Sequence, residues 1–429
     1  MVIRSNVLIF PAGSEIGIEI FHALRYNLHI ELFGASGKPD HARYLYDSKH
    51  YIEGDYYIEQ ENFCESFNRL LEFYKIDYIF PTHDSIALFL ALHQDKISAI
   101  AITSDANTAL VAREKKKTYE VFSEFDFCPK TFQYPSQDIT FPVFIKPNKG
   151  QGGKQAFLIH SFIELQFALS NDIDYVICEN LPGDELSVDC FTDSTGSLLF
   201  VGPRTRERVQ MGISFHSQTV TLTDEIKYIA AVINKRLTIK GAWFFQVKRD
   251  IAGKYKLLEF AVRNASTMGL YRQLGINFPL LSLFDRMGKP VSLLLNNYSI
   301  SLDRCLYNRY KLDFIYERVY IDFDDTVIVN GKVNVTAIRY LYDCRNRGID
   351  IVLLTKHLYA LDETLSQFAI SKALFDKIIQ IEMNENKADF IQPDRAIFID
   401  NFFFDRQAVL NRWGIPVFDV DAIESLILD

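Results

Sequence analysis

The sequence lacks any apolar run long enough to span a bilayer, and it contains no repeats or low-complexity tracts. It also lacks a stripe of basic residues that could neutralise nucleic-acid phosphates, and its formal net charge is −9. We therefore expect neither a membrane nor a nucleic acid as a partner.

Cysteine pairs of the C-x-x-C kind are absent as well. The six cysteines are scattered along the chain, which is typical of reduced, mostly buried thiols in a cytoplasmic protein. The first ten residues resemble a strand and are too short for a signal peptide, so we expect a cytoplasmic location. A length of 429 residues with 48% hydrophobic content predicts about three soluble domains of ordinary size.

Three carboxylates and a hydroxyl follow an apolar run near the C-terminus. The run Val319–Ile321 is followed by Asp322, Asp324, Asp325 and Thr326. Because neighbouring carboxylates repel one another, this cluster at a strand end predicts a bound divalent cation or phosphoryl group. A solvated turn with an Asp helix cap is the alternative.

Three features downstream argue against the plain turn. A second strand-like run ends in Thr355, Lys387 opens a helix, and a third run ends in Asp400 with Asp405 just beyond. In this order the elements resemble the haloacid dehalogenase (HAD) superfamily, whose signature is D-x-D-x-T, a strand-end Thr or Ser, a Lys and an acidic pair. The resemblance implies a HAD-like Rossmannoid domain over residues 317–429.

The resemblance also implies a role for each of these side chains. Asp322 would attack phosphorus and form an aspartyl-phosphate, while Asp324 would protonate the leaving oxygen and later activate water. Thr355 and Lys387 would hold the phosphoryl oxygens. Mg²⁺ (or Mn²⁺) would lie on Asp322, the Asp324 carbonyl and Asp400.

One position departs from the family's acidic pair. The residue after Asp400 is Asn401, where the family often has Asp. We expect Asp405 to supply the missing acid as a further metal ligand, and the substitution weakens the expectation of an active metal site.

The spacing in this segment leaves no room for an inserted cap domain. Only 28 residues (327–354) separate Thr326 from Thr355, and 31 (356–386) separate Thr355 from Lys387. Each gap holds about one helix and one strand. We therefore expect a capless domain whose site is open or covered by another part of the chain.

Residues 1–105 alternate between strand and helix patterns. The predicted strands and helices are Asn6–Phe10, Ile16–Arg25, Ile30–Gly34, Glu61–Tyr74 and Asp77–Pro81. This rhythm predicts a βαβ domain with a small parallel sheet. Thr82-His83-Asp84 follows the last of these strands, where such sheets bind ligands, although a lone histidine such as His83 is more often a hydrogen-bonded structural residue.

A glycine-rich loop follows a predicted helix, Arg113–Phe125, and a strand that carries Lys146. The loop contains Gly150, Gly152 and Gly153. Glycines let backbone N–H groups approach phosphates closely, and the lysine adds positive charge. Further strand-like segments are Ala156–Ile159, Val176–Glu179, Ser187–Thr192, Gly241–Arg249 and Lys256–Arg263.

Together these segments resemble the ATP-grasp superfamily, particularly the branch of carbamoyl-phosphate synthetase and biotin carboxylase. The resemblance implies a pre-ATP-grasp βαβ domain at 1–105 and an ATP-grasp domain at 106–305 that binds ATP and Mg²⁺ (or Mn²⁺). The whole chain is then an α/β and α+β multidomain protein.

Positions matching the ATP-grasp motifs are carried over residue by residue. The implied nucleotide-binding residues are Lys115, Lys146, Gly150, Gly152, Gly153, Glu179 and Leu181 of the adenine hinge, and Glu185 at the ribose. Gln246 and Glu259 match the metal ligands, and Arg263 matches an arginine that steadies the phosphorylated intermediate. Ala261 replaces the family's Asn ligand, which puts a second metal in doubt unless Asn264 reaches in.

An alternating basic stretch offers a place for substrate. Arg204, Arg206 and Arg208 lie beside the expected γ-phosphate position, where guanidinium groups suit carboxylate or phosphate oxyanions. A solvated strand edge is the alternative.

The leading hypothesis is a bifunctional enzyme. Residues 1–305 would join a small-molecule carboxylate to an amine or thiol through an acyl phosphate, and residues 317–429 would hydrolyse a phosphoester before or after that step. The sequence does not decide whether the substrates are themselves phosphorylated or whether the chain forms a homo-oligomer. The alternatives are an ATP-grasp kinase, a HAD-like part that serves as a binding or regulatory module, and a scaffold without catalysis.

Overall fold

The computed structural model describes residues 4–150, 152–210, 212–305, 308, 310 and 312–427. The chain divides into two compact units, the N-terminal unit Met1–Leu306 and the C-terminal unit Tyr307–Asp429. Gln151 of the glycine-rich loop and residues 1–3 of the predicted first strand lie outside the described residues. Within those ranges no helix is both long and apolar enough to cross a bilayer.

A five-stranded parallel sheet opens the N-terminal unit. Its elements are β1 (Ser5–Phe10), α1 (Glu15–Leu24), β2 (Ile30–Ser36), β3 (Tyr51–Glu53), α2 (Phe63–Phe73), β4 (Tyr78–Pro81), α3 (Asp84–Leu92) and β5 (Ile100–Ala101). The strand order is β3-β2-β1-β4-β5. Val7 and Ile9 of β1 enter one core and Leu8 and Phe10 the other, so both faces are buried, as a parallel sheet requires. The predicted strands and helices of this segment are confirmed to within two residues at each end.

The predicted helix Arg113–Phe125 is present but shorter, and a helix that was not predicted precedes it. The chain forms α4 (Ala106–Arg113) and α5 (Lys115–Phe122), with Glu114 extended between them at φ −110° and ψ 108°. Asn148 holds the start of α5, because its carbonyl accepts from Lys115 N at 3.2 Å and its side chain accepts from Lys116 N at 2.9 Å. The break therefore depends on a residue far along the chain.

A four-stranded antiparallel sheet carries the glycine-rich loop. Its elements are β6 (Thr131–Phe132), β7 (Val143–Pro147), β8 (Phe157–Ile159), α6 (Phe162–Ala168) and β9 (Tyr175–Glu179). The strand order is β6-β9-β7-β8. The loop joins β7 to β8, so Lys146 lies on the strand that leads into it.

A second antiparallel sheet and a small three-stranded sheet complete the N-terminal unit. The elements are β10 (Glu185–Thr192), β11 (Leu198–Thr205), β12 (Glu207–Gln210), β13 (Ile213–Gln218), α7 (Asp224–Arg236), β14 (Gly241–Arg249), β15 (Tyr255–Ala261), α8 (Gly269–Gln273), α9 (Phe278–Arg286) and β16 (Ser301–Asp303). The strand order is β11-β10-β14-β15 in the second antiparallel sheet and β12-β13-β16 in the small sheet. Trp243, Phe245 and Val247 of β14 share a core with Ile226 and Ile229 of α7. Because side chains alternate along a strand, the residues between these three, such as Gln246, lie on the opposite face of the sheet.

The C-terminal unit is built on one five-stranded parallel sheet. Its elements are β17 (Arg318–Ile321), β18 (Ile328–Val329), β19 (Lys332–Val333), α10 (Val335–Arg347), β20 (Asp350–Thr355), α11 (Leu361–Gln367), β21 (Lys377–Gln380), β22 (Ala396–Ile399), α12 (Phe403–Trp413) and β23 (Val417–Phe418). The strand order in the parallel sheet is β21-β20-β17-β22-β23. The carboxyl ends of β17, β20 and β22 bring Asp322, Thr355 and Asp400 to one edge of the sheet. Residues 327–386 form a hairpin, short helices and two strands, and no additional domain among them.

Candidate functional sites

A row of four polar side chains crosses the second antiparallel sheet of the N-terminal unit. In register across β11, β10, β14 and β15, the row consists of Arg204, Ser187, Gln246 and Glu259. All four line a cavity of about 270 Å³. The sheet therefore brings both predicted metal ligands together with one predicted substrate-binding arginine.

Gln246 and Glu259 lie side by side on neighbouring strands, and their side chains are in contact. With its amide oriented to satisfy both neighbours, Gln246 donates to Glu259 Oε1 at 3.3 Å and accepts from Arg206 Nη1 at 3.1 Å. Lys115 Nζ lies 3.4 Å from Glu259 Oε2. An amide oxygen and a carboxylate in one cavity fit a hard cation such as Mg²⁺, for which the Gln246 amide would turn its oxygen towards Glu259. Phosphates and water would supply the remaining ligands.

The position of the missing asparagine ligand is apolar. Ala261 lines the cavity, and the nearby Asn264 is buried without lining it. The Asn264 Oδ1 atom has no hydrogen-bond partner among the described residues. Asn264 therefore stays a predicted ligand without a place in the cavity wall.

The lysine on β7 is buried. Lys146 Nζ donates to the Leu258 carbonyl at 3.0 Å, and burial lowers the pKa of Lys146. A second cavity of about 350 Å³ is lined by the predicted nucleotide-binding residues Lys115, Lys146, Gly150, Gly152, Gly153 and Glu185. Gln246 and Glu259 line this cavity too, so the predicted phosphate and metal residues share one region.

The glycine-rich loop touches the turn between β12 and β13. Gly152 and Gly212 have φ angles of 65° and 78°, and a Cβ at Gly212 would lie 2.2 Å from Gly152 Cα. Only glycine fits so close an approach with a positive φ. A side chain at 212 would have to displace the loop.

The predicted adenine hinge is not part of either cavity wall. Glu179 N donates to the Lys130 carbonyl at 2.9 Å, and Glu179 Oε1 accepts from Lys130 N at 2.8 Å. Leu181 is buried, and neither Glu179 nor Leu181 lines the two cavities. Their nucleotide contacts stay a prediction.

Two of the three predicted substrate-binding arginines, Arg204 and Arg206, line the same cavity, and Arg208 does not. Arg206 pairs with Glu185 at 2.5 Å and lines both cavities. Arg208 lines neither cavity, because Asp303 of β16 pairs with it at 2.7 Å on an exposed edge of the small sheet. For Arg208 the solvated-edge alternative fits this position, and its substrate-binding role stays a prediction.

Arg263 joins the antiparallel sheet to the carboxyl edge of the parallel sheet. Its guanidinium makes two 2.7 Å bonds to Asp84 in the first turn of α3. Burial opposes ionisation of Asp84, but the charge and hydrogen bonds of Arg263 outweigh it, so the pKa of Asp84 is lowered. His83 caps α3 by accepting from Ser85 N at 3.3 Å, which fits its structural explanation.

In the C-terminal unit, two buried carboxylates converge on one buried lysine. Lys387 Nζ lies 2.6 Å from Asp322 Oδ1 and 2.6 Å from Asp400 Oδ2. Burial raises the pKa of Asp322 to about 6, the neighbouring Asp400 adds to this rise, and Lys387 opposes it. The predicted nucleophile, lysine and strand-end acid therefore form one cluster.

Two hydroxyls border the cluster. Thr326 Oγ1 lies 3.4 Å from Asp322 Oδ2 and accepts from Asn401 N at 3.2 Å. Thr355 is fully buried, and its Oγ1 accepts from His357 N at 3.1 Å. Asn401, the departure from the acidic pair, is thus tied to the threonine of the D-x-D-x-T motif.

The predicted general acid has a histidine partner that the sequence reasoning missed. His357 Nδ1 lies 2.9 Å from each oxygen of Asp324, and His357 Nε2 lies 2.9 Å from Thr364 Oγ1. An ionised carboxylate only accepts hydrogen bonds, so the tautomer of His357 with its proton on Nδ1 is the one that can donate to such an Asp324. The sequence signal that could have identified His357 is its position two residues after Thr355, the residue that ends the predicted strand.

The predicted substitute for the missing acid is engaged elsewhere. Asp405 of α12 is held by Lys356 at 3.1 and 3.2 Å and lies 3.9 Å from Lys387 Nζ. No group of three or more His, Cys, Asp or Glu side chains is placed to hold a metal ion within the described residues. A cation here would need ligands beyond these carboxylates, such as a backbone carbonyl, water or a phosphoryl oxygen.

Comparison with known proteins agrees with the arrangement of the N-terminal unit. The family described as "ATP-grasp in the biosynthetic pathway with Ter operon" matches residues 172–298, which include β10, β11, β14 and β15. None of the curated proteins matches the sequence.

Solved structures show the same fold. The biotin carboxylase domain dimer of 2-oxoglutarate carboxylase from Hydrogenobacter thermophilus, with MgADP, ADP and bicarbonate, is 15% identical, with 67% of this chain and 71% of that chain covered at a TM-score of 0.57. N5-carboxyaminoimidazole synthetase from Staphylococcus aureus with ADP is 15% identical, with 69% and 81% covered at 0.56. L-amino acid ligase from Bacillus licheniformis is 16% identical, with 66% and 74% covered at 0.52. The chain therefore contains an ATP-grasp fold, whereas the HAD-like assignment of the C-terminal unit stays a prediction.

Proposed function

We propose that the N-terminal unit is an ATP- and Mg²⁺-dependent ligase that joins a carboxylate to an amine or thiol through an acyl phosphate. The observation that supports this most is the row across the sheet, in which Gln246 and Glu259 lie beside Lys115 and share a cavity with the glycine-rich loop. The fold shared with ATP-dependent enzymes of known structure adds to it.

The chemistry explains why positive charge collects here. A carboxylate oxygen attacks the γ-phosphorus and ADP leaves; the amine then attacks the acyl carbon and phosphate leaves. Lys115 and Lys146 hold phosphate oxygens, and Gln246 and Glu259 would hold Mg²⁺, which neutralises phosphate charge. Arg263, fixed by Asp84, faces the same cavity and steadies the acyl phosphate.

Hydroxylamine tests the ligase proposal directly, because it attacks an acyl phosphate and gives a stable hydroxamate. Incubating the full chain with MgATP, hydroxylamine and a panel of small carboxylic acids is expected to yield equal amounts of ADP and hydroxamate. Phosphate transfer that leaves a stable phosphorylated product and no hydroxamate would favour the kinase instead. Absence of ADP with every acid would contradict both.

For the C-terminal unit we propose phosphoester hydrolysis through an aspartyl-phosphate. The supporting observation is the convergence of Asp322, Asp400 and Lys387 at one edge of the sheet. Asp322 attacks phosphorus, and Asp324 protonates the leaving oxygen and then takes the proton of the attacking water. Thr355 and Lys387 hold the phosphoryl oxygens, while Asp322, the Asp324 carbonyl and Asp400 would hold Mg²⁺, which offsets the repulsion between carboxylate and phosphate.

The two activities fit one chain if they act on one compound. A ligation product, or a ligation substrate, that carries a phosphoester would be the compound hydrolysed by the C-terminal unit. The alternative for this unit is a binding or regulatory module, which Asn401 and the engagement of Asp405 by Lys356 favour.

His357 is expected to act on hydrolysis by orienting Asp324. Substitution His357→Leu removes the donor to Asp324 and is expected to lower kcat for p-nitrophenyl phosphate about tenfold with little change in KM. In His357→Asn the amide nitrogen replaces Nδ1 as donor, so most of the activity should return. An equal loss in both variants, together with an equal drop in Tm, would mean that the histidine only fills space.

A further inference from the structure

The cavity of about 270 Å³ in the N-terminal unit contains two buried polar groups without partners. Ser187 is 0% exposed and its Oγ has no hydrogen-bond partner among the described residues. Arg204 is 2% exposed and its Nη1 also has no partner among them. Both residues line the cavity. Since a buried donor without a partner destabilises the fold, two of them in one wall indicate a ligand that accepts hydrogen bonds.

Two of the three guanidinium nitrogens of Arg204 are hydrogen-bonded to Asp189, and the third is left without a partner among the described residues. Its Nε donates to Asp189 Oδ2 at 2.7 Å and its Nη2 donates to Asp189 Oδ1 at 3.0 Å. Asp189 is fully buried, so this ion pair is shielded from solvent and holds the Arg204 guanidinium in one orientation. The fork geometry then leaves Nη1 as the donor available to a ligand.

The unpartnered groups lie next to the proposed metal ligands. Ser187 pairs in register with Gln246 on one side and with Arg204 on the other. Neighbouring strands are about 4.8 Å apart, so a small molecule whose reacting carboxylate lies at Gln246 and Glu259 reaches Ser187 one strand away.

The donor atoms of the cavity wall, rather than a net charge, favour an oxyanion. The lining contains five cationic and three acidic side chains, but two of the cations, Arg204 and Arg206, are paired with Asp189 and Glu185 outside this lining, so the charges balance. A guanidinium N–H makes its strongest hydrogen bonds to an ionised oxygen, so an acidic group is the favoured partner of Arg204 Nη1.

We propose that Ser187 Oγ and Arg204 Nη1 bind a second acidic group of the ligase substrate, separate from the carboxylate that is phosphorylated. The substrate is then a diacid whose second oxyanion is a carboxylate or a phosphate, and Asp189 is the positioning residue that orients Arg204. This inference rests on the proposed ligase function and adds the substrate class to it.

Matched acids test the proposal. Malonate, succinate, glutarate and adipate are compared with acetate, propionate, butyrate and valerate, and with phosphoglycolate as a phosphorylated acid. The readouts are hydroxamate formation with MgATP and calorimetric binding to the protein with Mg²⁺ and a non-hydrolysable ATP analogue. We expect the best diacid to exceed its monoacid by at least about tenfold in kcat/KM. Preference for phosphoglycolate or for a dicarboxylate identifies the second group.

Two substitutions separate binding from folding. Ser187→Ala removes a hydroxyl that has no partner, so Tm should stay level or rise while the diacid preference falls. Arg204→Lys keeps a positive charge at Asp189 but removes the fork, and it should lower kcat/KM for the diacid far more than kcat/KM for the matched monoacid. Ser170→Ala and Arg236→Lys, on exposed surfaces of the same unit, are the matched controls.

The outcomes distinguish this inference from the ligase proposal. Equal use of diacids and monoacids, an equal loss for both in Arg204→Lys, or no diacid binding at all would overturn the second-oxyanion site. Diacid binding that depends on Arg204 and Ser187 but yields neither ADP nor hydroxamate would keep the site and contradict ligation.

Discussion

Substitution Asp322→Asn is expected to abolish phosphoester hydrolysis by the full chain, with a loss of roughly a thousandfold or more in kcat. An amide cannot act as the attacking nucleophile, so no aspartyl-phosphate forms. Hydrolysis of p-nitrophenyl phosphate with Mg²⁺ measures the loss, and ADP formation by the N-terminal unit serves as an internal reference that should not change.

The fold should tolerate this substitution. Asn has nearly the same shape as Asp, and Lys387 keeps its 2.6 Å bond to Asp400. Burial raises the pKa of Asp322 to about 6, which means that the site already favours the neutral form of this side chain more than water does. A neutral Asn should therefore be tolerated there. A loss of activity with an unchanged thermal transition would therefore be a chemical effect.

Asp325→Asn is the matched control for this experiment. It makes the same chemical change in the same loop, at an exposed residue whose φ of 53° Asn adopts readily. Activity should be unaffected. If Asp322→Asn hydrolyses as fast as the unchanged protein, or if neither protein hydrolyses any phosphoester, the C-terminal unit is a binding or regulatory module.

Strand ends were the most predictable part of the structure. A parallel strand buried on both faces has a continuous apolar pattern, and the polar residue that follows it must lie at the sheet edge. This is why Asp322, Thr355 and Asp400 could be placed at strand ends from the sequence alone. The strands that carry Gln246 and Glu259 were located from their strand-like patterns, although they belong to an antiparallel sheet.

Contacts between distant parts of the chain were not predictable. The helix break at Glu114 depends on Asn148, and the partner of Arg263 is Asp84, 179 positions away. Arg204 and Arg208 have the same residue type and alternate along the sequence, yet one is held by buried Asp189 and the other by exposed Asp303. Only the three-dimensional pairing decides which of them can face a ligand.

One local pattern held information that was not used. In β10 the polar residues Glu185, Ser187 and Asp189 alternate with Leu186 and Val188. Such alternation indicates a strand with one polar face, and Ser187 on that face lines the cavity of about 270 Å³. Attention to this pattern would have pointed to Ser187 and Asp189 beside the arginines.

Substitution Glu259→Gln is expected to lower ADP formation by the N-terminal unit by about a hundredfold or more. The carboxylate is the only charged member of the proposed ligand pair with Gln246, and Lys115 lies 3.4 Å from it. Removing its charge weakens the hold on Mg²⁺ at the phosphates and leaves Lys115 without its counter-charge. The measurement is the rate of ADP formation at saturating ATP, in the presence of an acid that the unchanged protein uses.

A Mg²⁺ titration separates a ligand role from a structural one. If Glu259 holds the cation, the Mg²⁺ concentration for half-maximal rate should rise in Glu259→Gln, and excess Mg²⁺ should restore part of the activity. Glu120→Gln, at an exposed position of α5 in the same unit, should behave like the unchanged protein. An unaltered Mg²⁺ dependence with full activity in Glu259→Gln would show that the cation lies elsewhere, and the in-register row would then have to be explained by packing of the sheet alone.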